Sequence, residues 1–450
     1  MTNPKDGREL VLDMLLKVID GDEFSHRELG RTLRLCQDRP KQERAFISRL
    51  FIGTVKHYLT LDYIIEQFSS LPVKKMKPFI RNLLRLSAYQ LVFMDNVPAS
   101  AVCNEGVNLA KKRGFTKLSS FVNANLRNIA RMGADIEYPH KDMDTENYLS
   151  IRYSIPKWIV SMLLEQYELE PVERMLEASL RENETTIRCN LMKTTADKLK
   201  ELLIGEGVTV IGHPYLKDAF IIKDYDYIEG LKAFADGLFT IQDVSSMLVS
   251  EVAGPRGDEF VVDVCAAPGG KSLHIAEKVK RVSARDLTEY KIGLIDENIR
   301  RMGINNIETK VWDAKETDLE LINKADIVIA DLPCSGLGVL GKKHDIKYKL
   351  TQNQQKELVV LQRKILDVAS AYVKPEGVLI YSTCTVNREE NYENMKWFLA
   401  NYDFKPDNIN KYIPAVLHSD TTEAGYLQLL QGTHLTDGFF ICRMIRGKKV

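Results

Sequence analysis

Val262-Asp263-Val264-Cys265-Ala266-Ala267-Pro268-Gly269-Gly270-Lys271-Ser272 runs from an apolar strand through a turn of small residues into the start of a helix. Gly269 and Gly270 let the backbone approach a ligand closely, and the first turn of the helix offers free amide donors to an anionic group. A nucleotide or a carboxylate-bearing cofactor fits such a turn. Gly-Gly-Lys-Ser also invites comparison with a phosphate-binding P-loop, but that motif needs a glycine where this chain has Cys265.

Outward from this turn, strand and helix alternate to the end of the chain, which predicts a parallel sheet covered on both faces. Strands are expected at Phe260 to Val264, Val282 to Ala284, Thr309 to Val311, Ile327 to Ala330, Val378 to Tyr381 and Phe439 to Met444. Four of them are followed within three residues by Asp286, Asp313, Asp331 or Cys384. Open parallel sheets bind ligands at the carboxyl ends of their strands, so these residues are expected to line one cleft. Asp286, fifteen positions beyond Lys271, stands where a doubly wound fold holds ribose hydroxyls.

Asp331-Leu332-Pro333-Cys334 follows one apolar strand and Tyr381-Ser382-Thr383-Cys384 closes another. Two cysteines delivered to a cofactor cleft suit methylation at C5 of a pyrimidine. That carbon is too weak a nucleophile to attack a sulfonium unaided, so a thiolate first adds to C6. An acid hydrogen-bonded to N3 eases the addition, a role open to Asp331. This chemistry does not rank the two cysteines.

The first 130 or so residues read as helix. Leu10, Val11, Met14, Leu15 and Val18 keep amphipathic spacing, as do Ile80, Leu83, Leu84, Ala88 and Leu91, with breaks at Gly21, Leu71-Pro72, Asn96-Val97-Pro98 and Gly114. Met132-Gly133, Tyr138-Pro139 and the acidic Asp142 to Glu146 read as a polar connection. Ser154-Ile155-Pro156 then opens a helix. Short strands at Thr185 to Asn190, Val208 to Ile211, Ala219 to Ile222 and Leu238 to Gln242 make a small α+β module. Its strand-helix-strand order is that of an RNA-recognition motif, without the aromatic signatures of one. At 450 residues the chain needs more than one core. The expected division is 1–140 helical, 141–240 small α+β and 241–450 catalytic.

Formal net charge is zero, yet Met1 to His140 carries 22 Lys+Arg against 15 Asp+Glu, a net of +7, leaving 40 against 47, a net of −7, for the rest. The basic front end suits a polyanion. Seven scattered cysteines without a CxxC pair argue against a disulfide framework or a metal site, and no apolar run is long enough to span a bilayer. A cytoplasmic monomer without metal is expected.

Cys265 to Lys271, Asp-Leu-Pro-Cys at 331–334 and Ser-Thr-Cys at 382–384 together resemble the RNA 5-methylcytosine methyltransferases of the Nol/Nop/Sun family, and the likeness covers essentially the whole chain. Arg8 to Arg131 resembles a NusB-type helical bundle. The resemblance implies three parts: an all-α NusB-like RNA-binding bundle, a small α+β module, and an α/β Rossmann-like methyltransferase domain using S-adenosyl-L-methionine. It implies that Cys265, Ala266, Ala267, Pro268, Gly269, Gly270 and Lys271 line the methionine part of the cofactor. Asp286 would hold the ribose, Asp313 would lie beside the adenine, and Asp331 would reach both cofactor and base. It further makes Cys384 the nucleophile and Cys334 the residue that helps release product, on a cytidine of 16S ribosomal RNA. The same chemistry on transfer RNA or another ribosomal site, and a catalytically inactive assembly factor, are the alternatives. Gly341 to Tyr348 departs from the family, which has an arginine-rich stretch with a proline there.

Overall fold

The computed structural model describes residues 6–448. They fall into two compact units: the first runs to Arg181 and also takes in Leu340–Leu350, and the second holds Glu182–Val339 and the chain from Thr351 onward.

The first unit is helical. Helices at Gly7–Ile19, Lys41–Lys56, Tyr58–Phe68, Pro78–Phe93 and Ser119–Met132 direct Val11, Leu15, Leu50, Phe51, Ile64, Leu83, Leu84, Leu126 and Ile129 into one core. Burying each of these side chains contributes about 1.5–3 kcal/mol. Two further helices, Thr145–Tyr153 and Leu169–Leu180, lie where the sequence reads as connection or module. Asp144 caps the former, its carboxylate accepting from the Asn147 N–H at 2.9 Å, and Ser154 ends it in the left-handed conformation at φ 55°.

Leu340–Leu350 interrupts the catalytic pattern in sequence and belongs to this helical unit. Asp345 is buried and accepts from the Ser25 N–H at 3.2 Å and the Ser25 hydroxyl at 2.5 Å. Buried Lys347 donates to the Lys56 carbonyl at 3.2 Å, and the Tyr348 hydroxyl lies 2.9 Å from the Ser154 carbonyl. The segment that departs from the family pattern is thus packed through its polar groups, not laid out as a solvated basic loop.

The second unit contains two sheets. Strands β1 (Thr185–Cys189), β2 (Thr209–Gly212), β3 (Ala219–Lys223) and β4 (Phe239–Ile241) form an antiparallel sheet in the order β2-β3-β1-β4. Buried Arg188 in β1 joins it to the larger sheet's layer through an ion pair with Glu277 and a 2.9 Å hydrogen bond to Gln242. The larger sheet is built from β5 (Phe260–Asp263), β6 (Arg281–Asp286), β7 (Ile307–Val311), β8 (Ala325–Asp331), β9 (Val373–Thr383), β10 (Phe404–Pro406), β11 (Tyr426–Leu429) and β12 (Phe439–Arg446). Its order is β10-β12-β9-β8-β5-β6-β7, with β11 paired to β12.

The expectation of an all-parallel sheet needs correction. β5 to β9 are parallel, but β12 runs antiparallel to β9, and β10 and β11 run antiparallel to β12. Parallel pairing requires a crossover, whereas β11 and β12 are separated only by a short loop, which favours the antiparallel register. The order still reverses around β5, so the carboxyl ends of β5, β6, β8 and β9 open on one edge, where a doubly wound sheet binds its ligand. No helix among the described residues is long and apolar enough to cross a membrane.

Candidate active site

The turn after β5 is shaped by Gly269, whose φ of +106° is open at little cost only to glycine. Its N–H returns to the Ala266 carbonyl at 2.7 Å. Behind the turn, fully buried Asp263 accepts from the Ser272 hydroxyl at 2.6 Å. Burial pushes its carboxyl up to about 7.

At the end of β6, buried Asp286 accepts from the Ala267 N–H at 2.9 Å and the Leu287 N–H at 2.7 Å, with Lys291 at 2.8 Å. This carboxylate therefore braces the glycine turn from the carboxyl end of β6. Leu287 is 55% exposed, an apolar surface beside the carboxylate. The Trp312 N–H donates to the Asp286 carbonyl at 2.9 Å, which brings Asp313 to the same edge. The Asp313 carboxylate turns back on Lys315, at 3.0 Å from its N–H and 3.2 Å from its ammonium.

Asp331, the last residue of β8, is held by both oxygens: Oδ2 by Lys271 Nζ at 2.6 Å and Oδ1 by the Ser382 hydroxyl at 2.8 Å. Burial works against the Lys271 ammonium, but Asp331 beside it more than offsets this and raises its affinity for the proton. Ser382 belongs to β9, two residues before Cys384. The two strand ends thus bring Cys334 and Cys384 together, with their sulfurs 3.3 Å apart. Contact with Cys384, and then burial, push the Cys334 thiol well above its ordinary range. Burial, followed by the charges of Asp263, Asp286 and Asp331, does the same to Cys265.

Of the seven cysteines, Cys36, Cys103, Cys189 and Cys442 are buried, and Cys265, Cys334 and Cys384 are the ones partly open. All three lie after strands of the larger sheet. Among the described residues no group of His, Cys, Asp and Glu is arranged to hold a metal ion.

The sequence-derived residues thus form two contact pairs, Lys271 with Asp331 and Cys334 with Cys384, tied to each other through Ser382 on β9, while Asp286 braces the turn that leads to Lys271. Sequence reasoning missed Ser382, Leu287 and Lys291. It also missed a buried polar turn, Asn387 to Asn391, behind the cysteines. The only sequence signal for that turn is the run Asn-Arg-Glu-Glu-Asn soon after Cys384. The glycine turn, the buried strand-end carboxylate and the apolar Leu287 beside it fit a cofactor with an amino-acid end and a nucleoside end, as S-adenosylmethionine has.

Comparison with known proteins agrees with this layout. Residues 251–445 match the family model described as 16S rRNA methyltransferase RsmB/F, residues 5–131 the NusB family, and residues 155–227 the ferredoxin-like domain of RsmF/B-like methyltransferases. The chain is 36% identical over 448 residues to a Bacillus subtilis (strain 168) protein named "Probable ribosomal RNA small subunit methyltransferase B", covering 97% of this chain and 98% of that one. It is 28% identical to ribosomal RNA small subunit methyltransferase B of Vibrio cholerae over 90% of this chain and 89% of that one. In fold it is similar to NSun6 from Pyrococcus horikoshii, solved with SFG, at a TM-score of 0.57 and 23% identity, covering 63% of this chain and 96% of that one. The chain belongs to the RsmB/F family of 16S rRNA methyltransferases.

Proposed function

We propose that this enzyme methylates C5 of a cytidine in 16S ribosomal RNA through a covalent adduct to Cys384. The observation that carries the reading is the pair of partly exposed residues Cys334 and Cys384, their sulfurs 3.3 Å apart, with the Lys271–Asp331 ion pair at the same strand ends. A scaffold without catalysis has no need of such a pair.

S-adenosylmethionine supplies the electrophilic methyl group. Cys265 to Lys271 would hold its amino-acid end, Asp286 would take the ribose hydroxyls, and Leu287 and Asp313 would lie beside the adenine. Loss of one proton from the sulfur pair leaves a thiolate on Cys384, which the Cys334 S–H stabilises across the 3.3 Å contact. The Lys271 ammonium, electrostatically coupled to Cys384, favours the same charge. The thiolate forms a bond to C6, and the C5–C6 π pair becomes the nucleophile at C5. A hydrogen bond to N3 from the Asp331–Lys271 pair stabilises the charge that develops on the ring. For release, Cys334, freed of its contact with the Cys384 thiolate once that sulfur is bonded to C6, gives its proton to solvent and takes the C5 proton. The C5–H pair re-forms C5=C6, and the C6–S bond breaks with its electrons returning to Cys384.

A denaturing gel tests the assignment. Cys384→Ala should abolish both product and adduct. Cys334→Ala should methylate but leave RNA trapped on the protein. Trapping by Cys384→Ala and not by Cys334→Ala reverses the roles, and trapping by neither removes the support for a covalent path. Bisulfite sequencing of 16S rRNA from a deletion strain identifies the cytidine.

A further inference from the structure

Behind the two cysteines lies the short turn Asn387 to Asn391, and its last two residues divide their contacts in a telling way. Glu390 is fully buried. Its Oε2 accepts from the Ser335 N–H at 2.8 Å and from Gln362 Nε2 at 3.0 Å, and its Oε1 from Asn387 Nδ2 at 3.0 Å. The same Gln362 amide donates to the Pro333 carbonyl at 2.9 Å. Glu390 thus grips the residues on both sides of Cys334, one directly and one through Gln362. Only donors meet its oxygens, which identifies an acceptor-only carboxylate.

Asn391, also fully buried, does the equivalent for the other cysteine. Its Oδ1 accepts from the Thr383 hydroxyl at 2.5 Å, and its Nδ2 donates to the Thr385 carbonyl at 2.9 Å. These are the neighbours of Cys384 on each side. The two loops are also stitched to each other, Ser335 Oγ to Thr385 Oγ1 at 2.7 Å and Gly338 N–H to the Cys384 carbonyl at 3.1 Å.

We infer that Glu390 and Asn391 are positioning residues that set the separation of the two sulfurs, Glu390 holding Cys334 for release and Asn391 holding Cys384 for attack. This rests on the covalent reading above. Adjacent residues on one rigid turn are an economical way to fix the separation of two groups on different strands. A displacement of about 1 Å at reacting atoms lowers rates about a hundredfold.

The inference predicts opposite failures from neighbouring substitutions, which a merely structural turn would not give. In Glu390→Gln the amide nitrogen must face a donor, Asn387 at the Oε1 position or both Ser335 and Gln362 at the Oε2 position, so the carboxylate's three-way grip is broken in either orientation. Full-length wild type, Glu390→Gln and Asn391→Ala are mixed with S-adenosylmethionine and transcribed 16S rRNA, and product and covalent complex are followed on denaturing gels. Glu390→Gln should form adduct at the wild-type rate and release it at least about tenfold more slowly. Asn391→Ala should form adduct at least about tenfold more slowly, with release unchanged once adduct exists. Phe398→Leu, a substitution in the same core, should lower Tm without altering the ratio of the two rates. Should Glu390→Gln fold poorly, Gln362→Met removes the bridge to Pro333 and should give the same slow release. Equal slowing of both steps in both variants, or the Glu390→Gln pattern reproduced by Phe398→Leu, overturns the inference while leaving the covalent reading standing. Wild type that forms no adduct even with 5-fluorocytidine-substituted RNA overturns both.

Discussion

Lys271 Nζ lies 2.6 Å from Asp331 Oδ2, joining the helix that follows the glycine turn after β5 to the strand end that leads to Cys334. The same carboxylate is anchored to β9 by Ser382, so one side chain ties three strand ends together. Asp331→Asn keeps the shape but leaves the Lys271 ammonium without its counter-charge. We expect kcat to fall by about 10²–10³-fold, the usual effect of losing one preorganised electrostatic group. Single-turnover methylation by the purified variant measures it, and a loss under threefold would remove Asp331 from the chemistry.

Asp286 braces the turn through Ala267 and, in the proposed function, would also hold the ribose, two roles that substitution separates. Asp286→Ala removes the acceptor for the Ala267 N–H as well as the groove carboxylate, so it should weaken cofactor binding by about ten- to a hundredfold and also lower stability by about 1–3 kcal/mol. Asp286→Asn retains an acceptor for Ala267 and should weaken cofactor binding with a smaller loss of stability. Titration calorimetry and thermal melts on the two variants give both quantities.

Asp263 predicts a pH dependence with a definite sign. Burial raises its carboxyl to about 7 in the folded protein, against an ordinary 3.8. The folded state therefore binds the proton more tightly. The stability this contributes is fully present below about pH 4 and is lost as pH rises to 7. Asp263→Asn cannot titrate, so its stability relative to wild type should rise between pH 4 and pH 7, by a few kcal/mol at most on the order of this linkage. Urea melts at pH 5 and pH 8 compare them, and an unchanged difference would place the ionisation elsewhere.

The helical unit should show the reverse slope. Burial, then the charges of Lys347, Lys56 and Arg152, depress His57 to about 3. His344 falls to about 3 for similar reasons. Stability from keeping these rings neutral is present above about pH 6.5 and is lost as pH falls towards 3. His57→Leu should flatten the acid limb of unfolding monitored by helical circular dichroism, whatever its effect at neutral pH.

The basic charge of the first 140 residues can now be placed. Exposed Lys74 and Lys75 lie on the turn Val73–Lys75, and Lys77 sits over the Phe115 ring at 5.6 Å, next to exposed Lys111 and Lys117 in the chain around that ring. If this patch holds RNA phosphates, replacing Lys74, Lys75 and Lys77 by alanine should lower the slope of log K against log salt by up to about 2, at about 0.7 per phosphate contact on single strands. Filter binding at several salt concentrations reads the slope; no change would make the patch a solvated surface.

Much of the site was readable because β5, β8 and the second half of β9 are apolar runs that end in residues of different chemistry. Asp286, Asp331, Cys334 and Cys384 stand out against Val, Ile and Ala. β10 and β11 were not readable: they are three and four residues long, and Phe404–Pro406 carries a proline that marks an edge or a loop. The helix Thr145–Tyr153 hid behind an acidic run that serves as its cap. Glu390 and Asn391 look like surface residues, since charged and amide side chains are seldom fully buried, and only the long-range contacts to Ser335 and Thr383 explain why they are. Which sulfur attacks was never in the local pattern, because both cysteines end strands in the same way.

The polypeptide passes between its two compact units three times, at 181/182, 339/340 and 350/351. Recombination that moved residues 1–181 alone into another enzyme would leave Ser25 and the Lys56 carbonyl without Asp345 and Lys347, while the donor would keep an eleven-residue insertion carrying a buried lysine with nowhere to fold. The helical unit is therefore not a cassette. In any lineage that exchanges its helical unit, the stretch between Leu340 and Leu350 must travel with it or change in step, so chimeras of such enzymes should be spliced at 181/182, 339/340 and 350/351 together.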